Sequence, residues 1–291
     1  MVNRSLGLGL RVAALVAFTT FLFVSPAMAS AHAVPQLSNL RVATAETSTS
    51  AATDPTVVKC PDCSAGYVDN SSLFGSVTGV NASFVVPGVR CNSASTLPQQ
   101  VDFLAQMDGV PNPPSPADTE TAGVEASCAV GSSVQTYQAV FYDSIDGSFG
   151  IANWSPRAGD VVSVTIAADT TFQVFSFTLI DFTTKESSTF FGSASGAVLH
   201  AAGCIIDMQG STSYALANFG AIGIGYDHAK VPGTCDVTIG YSSGPVGNFG
   251  PSATLLEYKT VSANGMTLLA YPSVLSTDES SFVVNFMAAG P

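Results

Sequence analysis

The stretch Val161-Val162-Ser163-Val164-Thr165-Ile166-Ala167, followed shortly by Phe172-Gln173-Val174-Phe175-Ser176-Phe177-Thr178-Leu179-Ile180-Asp181-Phe182, decides the fold class. Both runs are dominated by β-branched and aromatic side chains, which fit a pleated, half-buried surface, and Asp169 marks a turn between them. Working outward, similar short runs recur at residues 82–86, 134–142, 188–191, 221–225, 254–259 and 282–286, separated by Gly, Asn, Asp and Pro. No window of about a dozen residues combines helical periodicity with good helix formers. The pattern predicts an all-β domain, and so many closely spaced strands predict a sandwich or barrel.

Composition narrows the function classes. The chain has 291 residues, 46% of them hydrophobic, with 26 Gly and 16 Pro, enough for one large β domain or two small ones. Charged residues make up only 10%, with 21 acidic against 9 basic side chains. That balance gives little electrostatic reason to bind nucleic acid or anionic lipid. A chain with few carboxylates also changes its charge little as pH falls, which suits an acidic environment.

The N-terminus reads as an export leader. Arg4 and Arg11 precede the apolar run at residues 12–24, and Ala27-Met28-Ala29 is a small-x-small cleavage site. The run is shorter than the ~20 residues of a spanning helix, and no later segment is apolar enough to span. The expected organisation is a leader at 1–29, an Ala/Thr/Ser-rich linker or pro-segment at 30–57, and one domain at 58–291. The expected location is extracellular, with no membrane attachment after leader removal. Six cysteines after the leader favour disulfides over metal or redox chemistry in an exported chain. Cys91 with Cys128 is the preferred pair, because their strands flank one variable loop; Cys204 with Cys235 and Cys60 with Cys63 then remain.

Several segments together resemble one peptidase family. Gly66-Tyr67-Val68 and the run Val80-Asn81-Ala82-Ser83-Phe84-Val85-Val86-Pro87 open the match. Tyr137-Gln138-Ala139-Val140-Phe141-Tyr142, Ala158-Gly159-Asp160-Val161, Leu216-Ala217-Asn218-Phe219-Gly220, Thr254-Leu255-Leu256 and Asn285-Phe286 continue it. On these residues the chain resembles the glutamic peptidases, or eqolisins, which are secreted acid endopeptidases. The resemblance implies a two-sheet antiparallel β-sandwich of the concanavalin A-like kind.

It also implies a site. In that family a Glu activates water against the scissile carbonyl, and a Gln amide helps stabilise the oxyanion. The Gln frame falls on Thr119-Glu120-Thr121-Ala122-Gly123-Val124-Glu125 and the Glu frame on Ala202-Gly203-Cys204-Ile205-Ile206-Asp207. The catalytic positions are therefore Thr121, which is shorter than Gln, and Gly203, which has no side chain. Two tryptophans usual in the family are replaced by Cys204 and by Leu104 of Leu104-Ala105-Gln106-Met107-Asp108-Gly109.

Strand alternation places Ile205 and Asp207 beside Gly203, Gly123 and Glu125 beside Thr121, and Gln106 and Asp108 beside Leu104. Asp207 or Glu125 as base, with Gln106 as amide donor, would make a shifted dyad. Against it stands a groove without catalysis. The primary expectation is a groove-type binder of extended peptide or glycan, monomeric and without cofactor or metal. The alternatives are an acid endopeptidase with the shifted dyad and a structural cell-surface sandwich. His32, His200 and His228 and the Cys60-Pro61-Asp62-Cys63 motif lack the context of a nucleophilic, metal or redox site. Trp154 is expected to pack.

Overall fold

The computed structural model describes residues 54–61, 64–71, 73, 76–108, 119–207, 214–226, 234–262 and 264–288. The expected leader, most of the expected linker, His32, His228 and Cys63 of the expected Cys60–Cys63 pair lie outside the described residues.

Eighteen strands form among the described residues. In chain order they are β1 (Thr56–Pro61), β2 (Ala65–Ser71), β3 (Val77–Val85), β4 (Gln99–Asp108), β5 (Thr119–Cys128), β6 (Gln135–Asp143), β7 (Ser148–Ile151), β8 (Val161–Asp169) and β9 (Val174–Asp181). There follow β10 (Glu186–Ser193), β11 (Ala201–Asp207), β12 (Ala215–Leu216), β13 (Ala221–Ile224), β14 (Asp236–Ile239), β15 (Ser242–Pro245), β16 (Ala253–Val261), β17 (Leu268–Pro272) and β18 (Phe282–Phe286). A single 3₁₀ turn at Gly250–Ser252 precedes β16. No helix among the described residues is long and apolar enough to cross a membrane.

Two layers result. The first runs β7-β6-β5-β4-β11-β2-β16-β1, with the short β12 also on β4, and is antiparallel except for the parallel β1–β16 and β12–β4 pairs. The second runs β10-β9-β8-β3 and continues from β3 to β14-β15 and to β13-β18-β17. Pairing of β17 with β16 joins the layers at one corner. The expected all-β antiparallel sandwich is the observed architecture.

Alternation explains why these strands bury one face. In β9, Phe175, Phe177 and Leu179 point inward while Val174, Ser176 and Thr178 face out. In β5, Ala122, Val124 and Ala126 enter the core, and Thr121, Glu125 and Ser127 take the opposite face. Aromatic pairs bind layer to layer: Phe84 of β3 lies 6.1 Å from Phe103 of β4, and Phe141 of β6 lies 5.6 Å from Phe177 of β9. Each fully buried side chain of this size contributes about 1.5–3 kcal/mol. Trp154 packs in the same core and donates from Nε1 to Ser188 Oγ at 2.9 Å.

Two of the expected disulfides are formed. Cys91–Cys128 ties the end of β5 to the segment before β4. Cys204–Cys235 crosses the sandwich, from β11 in one layer to the residue preceding β14 in the other.

Candidate functional site

The central strand β4 is buried on both faces, and this positions the site. Val101, Phe103, Ala105 and Met107 enter the sandwich core. Gln100, Asp102, Leu104 and Gln106 point the other way, onto the outer face shared with β11 and β5. A cavity of about 630 Å³ opens there.

Cross-strand register arranges this face as rows. Asp207 of β11 pairs with Asp102 of β4, Asp102 with Glu125 of β5, and Glu125 with Gln138 of β6. Two residues along, Ile205, Leu104, Gly123 and Val140 form a second row, which Ile151 of β7 extends. The third row is Gly203, Gln106, Thr121, Tyr142 and Phe149. Successive rows are roughly 6.7 Å apart, two residues of strand rise. The face is thus acidic at one end, apolar in the middle, and polar to aromatic at the other.

Thr121 and Gly203, the positions assigned to the family dyad, flank Gln106 in that third row. Thr121 lines the cavity. At Gly203 the backbone approaches β2 so closely that a Cβ would collide with the Tyr67 carbonyl oxygen and lie 2.6 Å from Val68 Cα. The strand pairing here admits glycine alone. Gly123 is under the same constraint against the Phe103 carbonyl, so it leaves a notch between Leu104 and Val140.

Two residues expected in the cleft are turned to other uses. Gln106 is 8% exposed and donates from Nε2 to the Asp108 backbone oxygen at 2.7 Å, so its amide is not presented to the cavity. Asp108 is 1% exposed and has left-handed backbone (φ 56°). Its carboxylate accepts the backbone N–H groups of Leu199 and His200 at 2.7 Å and of Ala201 at 3.3 Å, and lies 3.1 Å from His200 Nδ1. Asp108 therefore fastens the chain entering β11. Alternation alone misplaces it because the backbone leaves strand geometry at that residue. Ile205 is also buried, packed with Leu104 and Val68 in a small apolar cluster.

Glu125, Asp207, Leu104 and Thr121 do line the cavity, and the structure adds groups that the sequence reading missed. Gln100 and Asp102 lie on its floor, and Gln100 Nε2 donates to the Asp102 carboxylate at 3.2 and 3.3 Å. Carrying the alternation of Leu104 two and four residues back along β4 would have found both. Ser64 Oγ donates to Asp207 Oδ1 at 3.2 Å. Burial raises the Glu125 carboxyl above the usual range. Tyr142, Phe149 and Tyr214 form an aromatic rim; Tyr142 lies in a segment that carries the family resemblance, but no motif marked Phe149 or Tyr214. Among the described residues, no group of three His, Cys, Asp or Glu side chains is arranged to hold a metal ion.

The fold and the groove define a class: an all-β sandwich with a polar cleft across one outer face. The model of the Peptidase A4 family matches residues 63–267, and the chain belongs to that family. Among solved structures it is similar to scytalido-glutamic peptidase with a transition state analog inhibitor, at TM-score 0.55 and 16% identity over 78% of this chain and 98% of that one. It is also similar to SCP-B, an eqolisin in complex with the tripeptide Ala-Ile-His, at TM-score 0.53 and 15% identity over 77% of this chain and 100% of that one. No curated protein matches the sequence.

Proposed function

We propose that this chain is an exported member of the glutamic peptidase family that lacks the family's Gln and Glu dyad and uses its groove to hold an extended peptide. The observation that carries this reading is the backbone at Gly203. The position assigned to the general base has no side chain, and the β2–β11 approach leaves no room for one. A Thr121 hydroxyl cannot reach as far as a Gln amide, and Gln106 is spent on the Asp108 backbone. The outer face carries a cavity, and the tripeptide in complex with SCP-B supports peptide rather than glycan as its content. Export is supported by the leader pattern at residues 1–29 and by the two disulfides.

A second reading is favoured by one contact. Gln100 and Asp102 place an amide against a carboxylate on the cavity floor, with Glu125 and Asp207 in the same row. Such a set could run acid peptide hydrolysis with Asp102 as base. The two readings separate when the purified chain is incubated with an unfolded protein from about pH 2 to 7, the range in which carboxyls titrate. The expected result is no cleavage, with labelled unfolded peptide retained by the folded chain. Cleavage at low pH that disappears in Asp102→Asn would establish the second reading and overturn the first.

A further inference from the structure

We infer that the groove selects a peptide segment with a cationic side chain at one position and a large apolar side chain four residues away. The inference rests on the peptide-groove reading and specifies its ligand. Its basis is the spacing of unlike rows on one face of the sheet. The Asp207, Asp102 and Glu125 row and the Tyr142–Phe149 pair both line the cavity and lie two rows apart, roughly 13 Å along the strands. An extended ligand parallel to those strands rises at the same rate, so residues n and n+4 sit over the two rows and n+2 over Leu104, Val140 and the Gly123 notch.

Charge complementarity sets the first position. Among the described residues, the lining holds three carboxylates and no Lys or Arg, so a guanidinium or ammonium group gains attraction there that a neutral side chain does not. Apolar exposure sets the other. Phe149 and Ile151 on β7 are 54% and 50% exposed, Tyr142 opposite Phe149 is 41% exposed, and this strip continues directly into the groove wall. Strand β7 pairs only with β6 among the described strands, so a ligand can approach this wall from the open side.

The test uses labelled heptapeptides of Ala and Gly carrying Arg and Phe four residues apart, in both orders, with the full chain at about pH 6.5 and low salt, where ordinary carboxyls are ionised. Replacing the peptide's Arg by Gln, or its Phe by Ala, is expected to weaken binding about tenfold each, and the Arg effect should shrink as salt is added. The Asp102→Asn, Glu125→Gln double variant should lose the preference for Arg alone, and Phe149→Ala the preference for Phe alone. The peptide-side changes keep the question answerable even if a protein variant fails to fold. Equal affinity for Arg, Gln and Glu peptides would overturn the selection while leaving a peptide groove in place. No peptide binding, or binding of neutral oligosaccharides instead, would overturn both the selection and the reading beneath it.

Discussion

At Gly203 the absence of a side chain is a property of the sheet. Large-to-small changes in a cleft are usually reversible by substitution, but a Cβ here would meet backbone atoms of Tyr67 and Val68, which cannot rotate away as a side-chain tip could. Gly203→Ala is therefore expected to destabilise the fold by about 3 kcal/mol, the upper range for forced overpacking. A shift in the urea midpoint would measure it, and an unchanged midpoint would show that β2 and β11 are not pinched together. Gly203→Glu should be still less stable, because the same backbone atoms meet its Cβ. Asp108 gives the complementary lesson. A carboxylate in the right motif, read as facing the groove, instead collects three backbone N–H groups because its own residue turns out of the strand.

At the scale of elements, β11 bears several roles at once. It lies between β2 and β4, presents Ile205 and Asp207 to the outer face, and sends Cys204 into the core to meet Cys235 from the other layer. That bridge closes a loop with a sequence separation of 31, for which chain-entropy reasoning gives about 3–4 kcal/mol. The Cys204→Ser, Cys235→Ser variant should lose about that much, seen as a lower thermal midpoint that no longer responds to reductant at this site. If the variant melted with the parent, the bridge would not be formed in the folded protein. Strands rich in β-branched and aromatic residues were legible in sequence: the run at 282–286 is β18, that at 221–225 contains β13, and that at 161–167 falls within β8. The short β7, β12, β14 and β15 were not, because two to four residues, several of them Ser, Gly or Asp, carry too little β-branched pattern to stand out from loops.

At the scale of the whole molecule, the buried carboxyls set the direction of pH dependence. Asp69 of β2 is 2% exposed, and its Oδ2 has no hydrogen-bond partner among the described residues. Burial, reinforced by the nearby Glu279 carboxylate, pushes its carboxyl from the ordinary 3.8 up to about 8. Burial raises Glu125 and Asp143 in the same direction, whereas Asp278, hydrogen-bonded by Ser276, is lowered. A carboxyl raised on folding binds its proton more tightly in the native state. Its favourable contribution is complete below pH 4 and is lost as pH rises through about 8. For Asp69 the slope is about 1.4 kcal/mol per pH unit and the total on the order of 5 kcal/mol. Unfolding free energy measured against pH should fall between those limits, and Asp69→Asn should flatten the fall. A flat parent profile would show that Asp69 is solvated or paired in solution. The sequence by itself determined the all-β class and the family frames, since composition, short-range pattern and residue identity are local; it named Cys91–Cys128 and Cys204–Cys235 only as a preference among the 15 pairings that six cysteines allow, and the structure decided them. Only the tertiary structure decided that Asp102 joins Asp207 and Glu125 in one row, that Gln100 supplies the amide beside them, and that Asp108 and Gln106 serve the backbone. Those facts depend on the register between strands distant in the chain and on where a strand ends, which no local pattern encodes.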